Sequence, residues 1–266
     1  MQLLVVGGGR IGGALVSGLL ANGWAEPADL AVVEPSAERR SELTRLHPGL
    51  PVLEHAEPGS VAPDGGAVLA VKPDVAASVC QALSVVRPPR VLSVVAGLST
   101  ERLEAALGAE TAVVRAMPNT PVLVGAGMSV ISAGSRARAP DLDWAEGVLS
   151  AVGSVLRLPE HLLDVVTGLS GSGPAYVFLV AEALIEAGER GGLSSEDSRT
   201  LVTGTLLGAA RLLAETGEPP ERLRGDITSP GGTTAAGLGA LEARAVRSAF
   251  LEAVAAATER SRQLGH

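Results

Sequence analysis

The first twenty-one residues constrain this chain most. Leu3–Val6 is a run of four apolar residues with no polar alternation, the pattern of a strand buried on both faces. It ends in Gly7-Gly8-Gly9-Arg10-Ile11-Gly12, a G-x-G-x-x-G turn, and Arg10–Ala21 then carries apolar residues at helical spacing. A strand, a glycine turn and a helix in that order point to a sheet of parallel strands. In such a turn Gly7 permits the sharp reversal, Gly9 lets a phosphate approach the backbone, and Gly12 lets the helix pack on the sheet. The helix start offers free N–H groups from Arg10 and Ile11 and the positive end of a dipole, which suits a pyrophosphate. In a chain with 33 glycines the pattern alone is weak, and a merely structural turn is the alternative. Its place between a strand and a helix favours dinucleotide binding.

The alternation continues. Leu30–Val33, Gly66–Val71, Val91–Ala96 and Thr111–Arg115 read as strands, and Ser36–Leu46, Val75–Val86 and Thr100–Leu107 as helices between them. This predicts an α/β fold whose residues 1–160 form a doubly wound, Rossmann-type sheet. From about Leu162 the pattern turns helical. Pro174–Ala187 reads as a buried helix, Ser194 opens a helix running to about Glu215, Pro219 and Pro220 open a short one, and Ala243–Leu264 forms a long last one. Residues 161–266 are expected to be an all-α second domain.

Composition narrows the function. The net charge is −8 with no basic run, which argues against a nucleic-acid surface. One cysteine, Cys80, allows neither an intrachain disulfide nor a cysteine-based zinc site, and the four histidines lack metal-ligand spacing, so no metal is expected. The longest charge-free stretches, Ala116–Ser135 and Val165–Ala181, are broken by Gly and Pro, so no membrane span is expected. The N-terminus does not read as a signal peptide, and the expectation is a soluble cytoplasmic protein. Of the 21 basic residues one is a lysine, Lys72, which excludes a catalytic lysine elsewhere.

Several residues stand where chemistry is expected. Glu34 ends the second strand, where an acid accepts hydrogen bonds from the adenine ribose and repels a 2′-phosphate; this favours NADH over NADPH. Arg39 and Arg40 follow closely and read as solvated helix charges that would at most soften that preference. Val71, Lys72 and Pro73, and Ala96 after the next strand, lie at the carboxyl ends of strands, facing the cofactor crevice. Asn119 sits in the rigid turn Met117-Pro118-Asn119-Thr120-Pro121. Thr167–Tyr176 (TGLSGSGPAY) and Ser229–Thr234 (SPGGTT) are glycine- and hydroxyl-rich turns before helices, each able to cap its helix or to present N–H donors to a carboxylate.

Together these motifs resemble the pyrroline-5-carboxylate reductase family. The glycine turn, Ala70–Pro73 (AVKP), Met117–Pro121, Thr167–Tyr176 and Ser229–Thr234 occur in family order over nearly the whole chain. The last two are the specific ones. The resemblance implies reduction of L-1-pyrroline-5-carboxylate to L-proline by hydride from NADH or NADPH, the last step of proline biosynthesis. It implies that the turn of Ser229, Gly231, Gly232, Thr233 and Thr234 holds the substrate carboxylate through N–H groups around Gly232–Thr234, and that the Thr234 hydroxyl approaches the ring nitrogen as the catalytic group. It also places Glu160 beside the substrate site and Asn119 beside the nicotinamide. The helical domain would form an intertwined homodimer, with the pocket built across its interface, and family members often assemble further, into decamers of five dimers.

The chemistry suits these residues. A protonated cyclic imine accepts a hydride readily, so the protein needs chiefly to orient two rings, and no strong general acid is obligatory. Glu34 departs from the small polar residue that many NADPH-using members carry, and His55 and Ala56 replace an Asn near the adenosine. Two alternatives stay open on the residues alone. One is a reductase of another imine or carbonyl compound; the other is a dinucleotide-binding protein without turnover.

Overall fold

The computed structural model describes residues 1–265. The chain divides into two compact units, one formed by residues 1–172 with the end of the last helix from Ala256, the other by Gly173–Ala255.

The first unit is an eight-stranded sheet in the order β3-β2-β1-β4-β5-β6-β7-β8. The strands are β1 (Leu3–Val6), β2 (Leu30–Val33), β3 (Val52–Leu53), β4 (Gly66–Leu69), β5 (Arg90–Ser93), β6 (Ala112–Pro118), β7 (Gly127–Ala133) and β8 (Gly153–Arg157). β1 to β6 are parallel, with Leu3 opposite Leu30 and Gly66; β7 runs antiparallel to β6, and β8 runs parallel to β7. The helices of this unit are α1 (Arg10–Ala21), α2 (Ala37–Leu46), α3 (Pro73–Val86), α4 (Thr100–Leu107), α5 (Ala139–Ser150) and α6 (Leu163–Val166).

Strand periodicity sorts the core. Leu3, Val5, Leu30, Val32, Val68, Leu92 and Val114 point to one face, where Leu15, Val16 and Leu19 of α1 and Val148 and Leu149 of α5 cover them. Leu4, Val6, Ala31, Ala67, Leu69, Val91 and Val113 point to the other, under Ala76, Cys80 and Leu83 of α3 and Leu103 and Leu107 of α4. Burial on both faces is why these strands read as unbroken apolar runs.

The expected α/β class and doubly wound sheet are present, and α1, β2 and α4 begin and end at the expected residues. β3, of two residues, escapes the sequence reading, and so do three consecutive elements, β7, α5 and β8. The latter three form an antiparallel extension reached through a 3-10 turn at Thr120–Val124, and lie beyond the strand-helix rhythm that made the earlier strands legible. β4 stops at Leu69 and β5 at Ser93, before the glycine- and proline-bearing exits; β6 extends past Arg115 to Pro118.

The second unit contains α7 (Gly173–Arg190), α8 (Ser195–Thr216), α9 (Pro220–Asp226), α10 (Thr233–Ala243) and the start of α11 (Val246–Gly265). The Ser194 side chain accepts the Asp197 N–H, the cap expected from the sequence. α7 and α8 pack through small residues: a Cβ on Gly188 would meet the Ser198 hydroxyl at 2.7 Å. Three expectations are corrected here. The last helix starts at Val246, because the chain breaks at Arg244 and at Ala245, whose φ is +52°. α7 is not buried within the chain: Val177, Phe178 and Leu179 are at least half exposed. The continuous helical run Glu160–Arg190 is also long and apolar enough to cross a membrane, with mean hydropathy 1.3 over its best window; Gly and Pro did not break it.

Candidate active site

The glycine turn has the geometry that its sequence implies. Gly7 has φ +104°, and a side chain there would strike the Ala70 carbonyl where β4 ends; a Cβ on Gly12 would strike the Gly7 carbonyl. Gly9 is different: a Cβ there would meet nothing within 4 Å. Internal packing therefore needs Gly7 and Gly12, while the space before Gly9 is open to a ligand. Gly9 is the N-cap of α1 and no side chain caps that end, so the first amides of the helix, Arg10 and Ile11 among them, have no intrahelical acceptor. This fits the pyrophosphate of a dinucleotide.

Beside it lies a cavity of about 340 Å³ over the carboxyl ends of β1, β2 and β4. Its walls are mostly apolar, among them Val33, Val71, Val75 and Val79, with Ser78 and the rim residues Glu54 and His55 as its polar members. The size and lining suit an adenine ring. Ala56 also lines it, so His55 and Ala56 stand where the sequence placed their departure from the family.

Glu34 lies at the boundary between the turn and this cavity. Its Oε2 accepts the Gly8 N–H at 2.9 Å and its Oε1 the Ser36 N–H at 2.9 Å. Arg39 and Arg40 are not the solvated charges expected. The Arg39 Nε donates to the Gly8 carbonyl at 2.6 Å and its guanidinium pairs with Glu42. Arg40 donates to the carbonyls of Glu34 and Pro35 at 2.9 and 2.8 Å and reaches Glu54 at 3.3 Å. Both arginines therefore brace the turn and the exit of β2. Lys72 caps α3 as an exposed residue that makes no ion pair among the described residues. Pro73 begins α3, and Ala96 precedes Gly97, whose φ is +76°.

Two expected site residues take structural work. The Asn119 Oδ1 accepts the Met128 N–H at 2.8 Å, and its amide nitrogen reaches Ser170 at 3.3 and 3.4 Å. This ties the end of β6 to Thr167–Gly171, a π-helical turn, the kind of irregularity often found at functional sites. Glu160 accepts the Thr100 N–H at 2.8 Å and the Thr100 hydroxyl at 2.6 Å, and pairs with Arg115 at 3.0 Å. Burial alone would raise its pKa, but the Thr100 bonds and the Arg115 charge outweigh that and hold it below the usual value. Thr100 and Arg115 were not singled out in the sequence, because nothing in local spacing links positions 100, 115 and 160.

In the second unit, the Gly232 N–H donates to the Ser229 carbonyl at 3.0 Å, and Gly231 has φ +70°. Gly232 is therefore occupied within its turn, contrary to the expectation that its N–H faces a carboxylate. It is the N-cap of α10, so the amides of Thr233 and Thr234 occupy the first turn, where no intrahelical acceptor exists. Thr234 is half-buried and Thr233 exposed.

A doubly wound sheet with a glycine turn open to a pyrophosphate and an adenine-sized cavity defines an NAD(P)-dependent oxidoreductase carrying a helical second region. Comparison with known proteins makes this specific. Residues 2–97 match the NADP oxidoreductase, coenzyme F420-dependent, family, and residues 160–264 match the pyrroline-5-carboxylate reductase dimerisation family. A pyrroline-5-carboxylate reductase from Synechocystis sp. is 41% identical over 100% of this chain and 98% of its own length. The pyrroline-5-carboxylate reductase structure from Coxiella burnetii superposes with a TM-score of 0.92 at 35% identity, over 100% of this chain and 98% of the other. That of Plasmodium falciparum, with NADP bound, has a TM-score of 0.83 at 31% identity, with coverage of 100% and 98%. The chain belongs to the pyrroline-5-carboxylate reductase family.

Proposed function

We propose that this protein reduces L-1-pyrroline-5-carboxylate to L-proline, the closing step of proline biosynthesis, and that NADH is its preferred reductant. Full-length similarity to reductases of this name supports the reaction, and the glycine turn open at Gly9 is the observation that carries the cofactor site. A bound dihydronicotinamide supplies the hydride that reduces the ring C=N bond.

The protein's own residues bind and orient. The free amides of Thr233 and Thr234 hold the substrate carboxylate, and the Thr234 hydroxyl makes the polar contact to the ring nitrogen. Within the first unit, Asn119 fixes the π-helical turn and Glu160 the start of α4.

Glu34 supports the NADH preference. Its carboxylate stands beside the Gly8 amide, where it can accept ribose hydroxyls and repel a 2′-phosphate. Arg39 and Arg40, the nearest cations in sequence, are engaged with backbone carbonyls and glutamates. Glu34→Ser is expected to shift the ratio of NADPH to NADH turnover by about tenfold or more toward NADPH.

The apolar face of α7 and α8 is read as the contact of a homodimer, with decamers of five dimers as a further assembly. The matched dimerisation family supports a second copy, rather than lipid, as its cover. A cytoplasmic location is part of the same reading, supported by the single, buried, unpaired cysteine.

The test is oxidation of NADH and NADPH by the purified protein with pyrroline-5-carboxylate. Turnover that is faster with NADH is expected. A folded protein that binds NADH yet turns over with neither cofactor would sink the reductase reading.

A further inference from the structure

We propose that Arg260, on the last helix, is an anion-binding residue of the active site. The inference rests on the reductase reading. A second cavity in the first unit, of about 300 Å³, is walled by Pro73 and Ala96, in the segments that follow β4 and β5, by Thr167 and Ser172 of the π-helical region, and by Arg260 and Ser261 of α11. Ligands of doubly wound sheets sit beyond the carboxyl ends of the strands, and this cavity lies further along that edge than the adenine-sized one. The half of the dinucleotide remote from adenine, and the substrate it reduces, belong in this direction.

The electrostatics single out one side chain. Among the described residues Arg260 is the only ionisable one that lines the cavity, so none of them puts a carboxylate on its wall to repel an anion. Its neighbour Arg262 pairs with Glu259, and Arg247 with Glu242. Arg260 has no carboxylate partner among the described residues and reaches only the neutral Gln263 Oε1, at 3.3 Å. The wall that carries it is fixed, because the Ser261 hydroxyl donates to Asp164 Oδ1 at 2.7 Å and pins α11 to α6. An anchored helix thus brings a guanidinium with no carboxylate partner among the described residues to a cavity that they line with hydroxyls and no acid, in a protein of net charge −8. Two anionic groups enter this reaction: the cofactor's phosphates and the substrate's carboxylate. Arginine binds both by the same charge-assisted hydrogen bonds.

The experiment uses the full-length protein and the variants Arg260→Gln and Arg260→Lys. NADH affinity is measured by fluorescence without substrate, and KM for pyrroline-5-carboxylate at saturating NADH. Arg260→Gln is expected to weaken one of the two about tenfold, the size of a lost charge-assisted bond, with Arg260→Lys recovering most of it. A change in NADH affinity assigns the phosphates; a change in KM alone assigns the carboxylate. Arg260→Met, which keeps the aliphatic stem, replaces the Gln variant if that one fails to fold. Both constants staying within about twofold of wild type in a folded variant would overturn the proposal. Because the NADH measurement needs no turnover, it separates failure of this assignment from failure of the reductase reading.

Discussion

In the first unit, leucines 3, 15, 19, 30, 69 and 92 are at most 1% exposed, whereas in the second, leucines 179, 201, 207 and 212 are more than half exposed. Among the described residues Gly173–Ala255 no hydrophobic side chain is buried at all. The residue types are the same; what differs is where their partners are. A parallel sheet with helices on both faces closes its core within one chain. Helices with a wide apolar face and no covering layer need a second surface, and the match to a dimerisation family is the ground on which we propose another copy for it. The difference separates what one chain specifies alone from what it specifies only by association.

The largest expected effect breaks that contrast directly. Phe178→Asp together with Leu179→Asp puts two charges on the exposed face of α7. Sedimentation should show loss of the dimer, and turnover should fall by about a hundredfold or more, because a buried unpaired charge costs several kcal/mol. A variant that stays dimeric and active would mean that this face is not the contact. Next in size is a pair inside the first unit. Gly12→Ala collides with backbone and should lower both thermal stability and NADH affinity. Gly9→Ala meets nothing in the protein, so it should weaken NADH about tenfold while leaving the melting temperature unchanged. Equal losses of stability in the two would remove the distinction between a packing glycine and a ligand-facing one. In the second unit Thr234→Ala should lower kcat about tenfold and leave NADH affinity intact, which stopped-flow and binding measurements separate.

The same contrast explains what was legible in the sequence. Strands buried on both faces read as apolar runs, so β1, β2 and the helix α1 between them could be placed to the residue. β7 and β8 begin at Gly127 and Gly153, and they depend on pairings that no local pattern announces, β7 antiparallel to β6 and β8 parallel to β7. α7 was legible as an apolar helix, but hydrophobicity alone cannot say whether its cover comes from its own chain, another copy or lipid. Within the site, Gly7, Gly9 and Gly12 were legible because each role is a backbone role. The protein partners of Glu160 and Asn119 were not legible, since Thr100, Arg115, Met128 and Ser170 are distant in sequence or outside any recognisable motif.

Glu160 gives a smaller and pH-dependent test. Its folded pKa lies below the usual carboxylate value, so its stabilisation is present above the unfolded pKa and is lost as pH falls through the folded one. Glu160→Gln should cost about 1–2 kcal/mol at neutral pH, allowing for the partial exposure of the pair. That corresponds to a melting temperature roughly 2–8 °C lower. The gap between wild type and variant should stay constant above about pH 5 and close in more acid solution. A gap that is independent of pH would show that the carboxylate charge is not what holds Thr100 and Arg115.

The smallest effect uses Cys80 to read the first unit by itself. It is 1% exposed, lies under the sheet on α3, and burial pushes its thiol pKa up. Cys80→Ala should cost about 1 kcal/mol, because the cavity left by one sulfur is small. More usefully, the native thiol should react with an aromatic disulfide reagent only when the sheet opens, at the rate of unfolding. The Phe178→Asp, Leu179→Asp variant is expected to lose the dimer while no residue of the sheet core is altered. If the first unit is closed by its own residues, Cys80 labelling in that variant stays slow. If labelling becomes fast, the sheet depends on the assembly as much as the helices do, and the contrast in burial is not a contrast in folding.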